Sequence, residues 1–369
     1  MHPTVRVINS TSFYEYEEET SMGLGSYIIR RVLWIIPTML GVSVLIFAVT
    51  MLFTPYQRAA LYINSPQQLF DLPSIVKLYH LDDPPHIQYF TWLTQLLQGN
   101  LGFSKTSNKP VLETILIKLP HTAEMVLPCI PIVVVLGIYL GVLSATHRDR
   151  AIDHATRIFA IFGWSLPTFW LAIMLIAIFY SWLGWFPLGT GGAPLGSSAK
   201  QFVISPAWHT YTGFYTIDGI LNGQLWITVD AIWRLVLPTV TLTIVSIALI
   251  IRIMRSSMLE TLGKSYIITA RAKGLKNSEV INKHARRNAL IPVATVSGLL
   301  VAGFMTGVVI TETVFGLDGL GRWAVIAATQ GPDIPAILGF AMFTCLVYVL
   351  SNLIVDILYA YLDPRIRLG

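Results

Sequence analysis

The sequence predicts an all-α, polytopic membrane protein whose six apolar helices cross a bilayer. Three observations carry that expectation. The chain is 54% hydrophobic and 12% charged over 369 residues, with a mean hydropathy of +0.63. It is too apolar for a soluble globule and too poor in charge for a disordered chain. Six of its runs are long enough, at about 1.5 Å per residue, to cross a hydrocarbon core of roughly 30 Å. Most of the 25 Lys and Arg stand beside those runs on one side. The net charge of +5 and the isoelectric point near 9.1 therefore report topology rather than a nucleic-acid surface.

In chain order, residues 1–25 hold Glu15, Glu17, Glu18 and Glu19 among Ser, Thr and Tyr. That is unlike the positive start and apolar core of a cleaved leader, so they read as a cytoplasmic tail ahead of a membrane domain, 26–369. Arg30 and Arg31 precede the first span, 32–53, an uncleaved anchor with its amino end inside. Residues 54–123 hold no spanning run and form the first external region. Within it, Asp83 is placed to cap a helix opening on Pro84 and Pro85, and Ile87, Phe90, Leu93 and Leu96 follow at threes before Gly99. Such a helix lies on the membrane face or on a neighbour.

The second span, 125–145, carries Pro128 and Pro131 near its outer end, and HRDRAIDHATR returns the chain to the basic side. The third, 158–183, contains Pro167, whose kink serves as a hinge or a packing device. An external loop, 184–234, is first rich in Gly and Pro and then aromatic, with Trp185, Trp208, Tyr211, Phe214, Tyr215, Trp226 and Trp233. Aromatics belong at a membrane interface, and a few could stack on a ligand. The fourth span is 235–251. The fifth, 290–314, includes Gly298, Ala302, Gly303 and Gly307, small residues that let helices approach in lipid. ETVFGLDGLGRWAV follows it with several glycines but no Lys-Ser or Lys-Thr and no preceding strand, so it reads as a tight external turn rather than a phosphate loop. The sixth span is 337–361. Cys129 and Cys345 lie inside apolar runs with no Cys or His neighbour that would suggest a metal.

Between spans four and five lies a polar segment, 254–289, unlike the rest of the chain. Counted with Arg252, it carries Arg255, Lys264, Arg271, Lys273, Lys276, Lys283, Arg286 and Arg287 against Glu260 and Glu279. It must lie in water, and this basic it should face the cytoplasm. Tyr266, Ile267, Ala270 and Gly274 recur at threes and fours, Gly274 supplies a turn, and Ile281, Ala285 and Ala289 resume the stripe. Asn277 or Ser278 can cap the second helix. A helical hairpin with an apolar ridge and a basic flank is built to seat in another protein. The same charges would also suit an ordinary loop that only fixes orientation.

The runs TARAKG and HARRNALIP resemble the coupling loop of ABC-importer permeases of the dipeptide and oligopeptide (peptide/nickel) family. The resemblance spans residues 27–367 through LDDPPHIQYFTWLTQLLQGNLGFS, SLPTFW, ETVFGLDGLGRWAV and YAYLDPRIR. It implies the type I ABC importer permease fold and makes Ala270, Arg271, Ala272, Lys273, Gly274 and Leu275 the coupling helix that docks on an ATPase. It also implies a heterodimer with a second homologous permease, two ABC ATPases that carry ATP and Mg, and an extracytoplasmic solute-binding protein. No cofactor, metal or nucleic acid is expected on this chain, which is expected in the cell membrane with both ends in the cytoplasm. Two patterns depart from the family: the Glu-Ala-Ala triplet falls on Ile268, Thr269 and Ala270, and Thr54-Pro55-Tyr56-Gln57 stands where Pro-Gly-Asp-Pro is usual.

The chain shows no GxxxxGK[ST], HExxH or GxSxG, so no catalytic residue is nominated. The cargo the family implies is di- or oligopeptides, with oligosaccharides or nickel as alternatives. An ion-coupled secondary carrier is the competing class, and it would place carboxylates near mid-membrane. Glu312 and Asp356 instead stand near span ends and read as structural.

Overall fold

A computed structural model of the chain describes residues 24–362 apart from 64, 66, 69, 70 and 307, with side chains described between 28 and 357. The acidic tail, Gly307 and the terminal Arg365 and Arg367 lie outside the described residues. Among the described residues five helices are long and apolar enough to cross a membrane, and there are six if one pair bent by 101° is counted as a single span.

The first span is α1 (Leu24–Thr50). Three short helices, α2 (Pro55–Ala59), α3 (Leu72–Leu78) and α4 (Pro85–Leu97), then fold against its carboxyl-terminal end. Thr54-Pro55-Tyr56-Gln57 starts α2 through a reciprocal cap. The Thr54 N–H donates to Gln57 Oε1 at 2.9 Å, and the Gln57 N–H donates to Thr54 Oγ1 at 3.4 Å. The helix expected after Asp83 is present, with two corrections. Pro84 takes the cap position, while the Asp83 carboxylate lies 3.2 Å from His80. The packed stripe is also displaced: Gln88 and Trp92 are buried, whereas Ile87 and Phe90 are 40% and 65% exposed. A spacing of threes drifts around a helix of 3.6 residues per turn, and α1 meets the 88–92 edge instead. Tyr89 Oη hydrogen-bonds Ser43 Oγ at 2.9 Å, and the Phe47 ring lies 5.3 Å from Tyr89 and 5.8 Å from Trp92.

A two-stranded antiparallel ribbon, β1 (Phe103–Ser104) and β2 (Lys109–Pro110), leads into α5 (Val111–Thr146). At 36 residues α5 begins well before the expected second span, so the end of the region between the first two spans is a helical stalk. The third span is corrected more strongly. It consists of α6 (Ala151–Ser165) and α7 (Thr168–Leu175), the latter continued by wider π-type turns over Ile176–Trp182, with a bend of 101° between the two arms. Pro167 forces Leu166 out of helical dihedrals, to φ −78° and ψ 125°, so the chain breaks where a mild kink was expected.

The loop expected outside, 184–234, holds α8 (Ser197–Ile204) and α9 (Tyr215–Leu221) and ends in α10 (Leu225–Leu262), a rod of 38 residues. Buried carboxylates order this loop. Asp218 accepts from the Thr212 N–H and hydroxyl at 2.9 and 2.7 Å and from the Gly213 N–H at 3.0 Å. Glu124 accepts from the Thr216 N–H at 2.5 Å. Of the loop aromatics Trp208 is buried and Phe214 and Tyr215 are partly buried, while Trp185, Tyr211, Trp226 and Trp233 stay exposed, Trp233 Nε1 donating to the Trp185 carbonyl at 2.9 Å.

After α10 come α11 (Ser265–Ala272), α12 (Asn277–Glu279), a π-type stretch Val280–Ala285 and α13 (Arg286–Met305). The fifth span ends at Met305 rather than 314. A separate short helix, α14 (Val309–Val314), a turn through Gly316 at φ +69°, and α15 (Leu320–Thr329) follow. Glu312 is fully buried in that turn and accepts from Thr122 Oγ1 at 2.7 Å and the Arg322 N–H at 2.8 Å. The last span is α16 (Ile334–Leu362). Asp333 precedes it and accepts from Ser104 Oγ and the Thr106 N–H at 2.7 and 2.8 Å. Asp356 pairs with Arg31 at 3.3 Å, joining α16 to α1.

The core is centred on α10, the most enclosed of the spanning helices, packed parallel to α5, as the pairs Met125–Thr239, Gly137–Ile250 and Ser144–Arg255 show. Gly137 and Gly141, one turn apart, let the two backbones close. A Cβ at either would stand 2.6 Å from Ile250 Cγ2 or Met254 Cβ. In α13, Gly298 is pressed against Val355 of α16 in the same way, while Gly303 faces only the Tyr348 hydroxyl at 3.9 Å.

Candidate functional site

The basic segment folds as the expected helix, turn and helix. Gly274 has φ +76°, a left-handed conformation that suits glycine. The turn closes α11 with paired bonds: the Gly274 N–H donates to the Arg271 carbonyl at 3.0 Å and the Leu275 N–H to the Ala270 carbonyl at 3.4 Å. That is the bonding of a Schellman motif, which satisfies carbonyls a helix end would otherwise leave open. A Cβ placed on Gly274 would meet nothing within 4 Å. The second helix is not capped as expected. Lys276 occupies the cap position without a side-chain bond, and Asn277 and Ser278 fall inside the first turn.

The apolar ridge is also used differently. Ile267, Ala270, Val280, Ala285 and Ala289 are buried against Met254 and Met258, so the ridge seats in its own chain rather than in another protein. Of the six nominated residues, Ala270 therefore faces inward, while Arg271, Ala272, Lys273, Gly274 and Leu275 are exposed. The exposed run continues unbroken through Glu279. It presents three cations, Arg271, Lys273 and Lys276, with the apolar side chain of Leu275 39% exposed among them, while Ile268, 61% exposed, precedes the buried Ala270. The two arms are tied by Asn288 Nδ2, which donates to Tyr266 Oη at 3.0 Å. Glu260 lies 2.8 Å from Lys264 and holds its ammonium above the ordinary lysine range.

The root of the hairpin holds a group that sequence reasoning missed. Asp153, in the first turn of α6, has no exposed side-chain surface and accepts from Arg255 Nε at 2.7 Å and Arg255 NH2 at 2.8 Å. Ser144 Oγ donates to the same carboxylate at 2.5 Å and the Asp149 N–H at 3.0 Å. Three segments, the ends of α5 and α6 and the lower part of α10, thus meet at one carboxylate, which Arg157 also approaches at 4.0 Å. The available signal was an aspartate among the arginines of HRDRAIDHATR, beside an apolar run that could bury it.

No group of three or more His, Cys, Asp or Glu that could hold a metal occurs among the described residues. What the molecule offers is a membrane bundle with a closed, charged elbow at one end. That is the organisation of a transport permease. The chain belongs to the family of binding-protein-dependent transport system inner membrane components, whose sequence model matches residues 137–368.

It is 38% identical over 343 residues to a probable D,D-dipeptide transport system permease protein of Escherichia coli (strain K12), covering 93% of this chain and 98% of that one. It is 36% identical over 344 residues to a dipeptide transport system permease protein of Alkalihalophilus pseudofirmus, covering 93% and 99%. It is 35% identical over 345 residues to an oligopeptide transport system permease protein of Bacillus subtilis (strain 168), covering 93% and 100%. The chain is accordingly a membrane-spanning component of a binding-protein-dependent transporter.

Proposed function

We propose that this chain is one permease of an ATP-driven peptide importer, paired with a second homologous permease. Two ABC ATPases bearing ATP and Mg dock beneath the pair, and an extracytoplasmic solute-binding protein delivers cargo from outside. The chain itself binds no nucleotide. The observation that carries this reading is the hairpin: its ridge is buried, its turn is closed by backbone bonds, and residues 271–279 stand free as one rigid, basic tip.

The tip faces the cytoplasm, as does the start of α1 with Arg30 and Arg31, in keeping with the positive-inside bias. When the ATPases change their spacing, Arg271 to Leu275 are displaced with them. The close α5–α10 contact at Gly137 and Gly141 carries that displacement into the bundle as a rigid-body movement between outward and inward openings. Peptide cargo is supported by the relatives, named for dipeptide, D,D-dipeptide and oligopeptide transport.

Gly274→Trp tests the docking. The substitution costs about 1–2 kcal/mol for a left-handed backbone and projects the indole into open space, so the protein remains inserted while ATP hydrolysis no longer drives uptake. Normal uptake by that variant would refute the assignment. Calorimetry of the binding protein against peptides, oligosaccharides and nickel tests the cargo.

A further inference from the structure

A cleft of about 370 Å³ lies at the far end of the bundle from the hairpin, between the β1–β2 ribbon, the first turns of α5 and the turn that joins α14 to α15. It lies on the face that the proposed orientation puts outside. Its polar wall is made by Thr106, Ser107, Thr114, Lys118 and Asp318, and its apolar side by Ile117, Ile326 and Trp323.

The cleft is built from fixed parts. Asp333 holds Ser104 and Thr106, and Ser107 Oγ lies 2.7 Å from Thr114 Oγ1. Glu312 secures the base of the turn through Thr122 and Arg322. Asp318 is held at its backbone from two sides: its N–H donates to the Gly192 carbonyl at 2.8 Å, and its carbonyl lies 3.1 Å from His121 Nδ1.

Opposite charges meet in this wall. The Lys118 ammonium, on a side chain only 12% exposed, lies 2.6 Å from Asp318 Oδ1. The Asp318 side chain is 48% exposed, and its Oδ2 has no protein partner among the described residues. Lys109 stands at the rim and pairs with Glu113.

An anion alone would meet the Asp318 carboxylate, and a cation alone would meet the Lys118 ammonium. Like charges at such range are unfavourable, so neither class suits the wall. A ligand with both charges on a short backbone suits it, with its carboxylate on Lys118, its ammonium on Asp318 Oδ2 and its amide among the hydroxyls. The volume fits a small molecule, at the lower end of the usual range of roughly 300–1,000 Å³.

We propose that this cleft is an entry site on the permease for a zwitterionic short peptide, recognised by the Lys118–Asp318 pair. The proposal rests on the peptide reading given above. It differs from delivery by the binding protein in giving the permease its own contact with the charged ends of the cargo.

The test uses the assembled permease–ATPase complex in lipid nanodiscs without binding protein, and labelled dialanine as the probe in equilibrium dialysis. Dialanine is expected to bind, and N-acetyl-dialanine amide, which lacks both charges, is expected not to compete. This arm needs no variant and is immune to misfolding. Lys118→Met is expected to weaken binding about tenfold, the loss of one charge-assisted hydrogen bond, whereas Lys118→Arg retains it. Absence of dialanine binding, equal competition by the capped form, or unchanged binding by Lys118→Met would each overturn the site. Uptake by the complete wild-type importer separates the two readings: no uptake of any peptide defeats the peptide assignment itself, while uptake without binding at this cleft defeats only the site.

Discussion

The Asp153 carboxylate grips the Arg255 guanidinium with both oxygens, at 2.7 and 2.8 Å, and ties the start of α6 to α10 about two turns above the hairpin. Asp153 is wholly enclosed and the Arg255 side chain is 21% exposed, so water reaches the pair from the arginine side alone. Removing one member of such a pair costs about 3–5 kcal/mol, since the other charge remains in place without its counterpart. Asp153→Asn is therefore expected to lower the thermal midpoint of the purified complex and to reduce uptake more than ATP hydrolysis. Ser144→Ala, which removes one neutral donor from the same carboxylate, is expected to cost only about 1 kcal/mol. Equal midpoints for the two variants would show that the charge pair is not the lock.

The two sides of the hairpin are distinguishable by thiol chemistry. A cysteine at exposed Ser278 is expected to react with a membrane-impermeant maleimide in inverted vesicles stripped of the ATPases and not in right-side-out cells. A cysteine at buried Ala270 is expected to stay unlabelled in both. Labelling at 278 from outside the cell would reverse the orientation.

Helix contact through glycine gives a graded pair of substitutions. Gly141→Val forces a branched side chain against Met254 Cβ, where even a first carbon stands 2.6 Å away. Overpacking of this kind costs about 1–3 kcal/mol. Gly303→Val meets only the Tyr348 hydroxyl at 3.9 Å and is expected to be tolerated. Membrane yield and protease resistance of the two variants, compared side by side, decide the point.

The Arg31–Asp356 pair is expected to matter far less. Its members are separated by 3.3 Å, with side chains 46% and 22% exposed, and solvated pairs contribute at most about 1 kcal/mol. Asp356→Asn should leave the thermal midpoint of the complex nearly unchanged. A large drop would mark this junction between the first and last spans as a structural anchor.

The apolar spans were legible because a bilayer demands long uncharged runs, and the hairpin because a basic stretch stands out between two of them. Gly274 was legible for the same reason, as a turn residue between two periodic stripes. The break at Pro167 was only half legible: the residue was evident, but the size of the bend depends on what α10 and α14 leave room for. Helix ends beyond the membrane were misjudged because α5 and α10 run on into water, where hydropathy no longer marks them. The Asp153–Arg255 pair joins residues about a hundred positions apart, a distance no local pattern spans. The caps proposed at Asp83 and at Asn277 or Ser278 failed because proline and lysine backbones hold those starts without a side-chain bond.

The uninterrupted length of α10 has a mechanical corollary. Its 38 residues make a beam of about 57 Å, nearly twice the thickness of the oily layer it pierces. At one extremity Asp230 fastens the loop at Gly196 with a 2.6 Å bond, and at the other the chain turns into the elbow. Pro238 removes one backbone hydrogen bond in the first half of the beam, and beyond it no further proline interrupts the helix, so a tilt imposed at the elbow is carried along the beam at least as far as that residue. Arrival of cargo above and consumption of fuel below are in this way felt by a single piece of backbone.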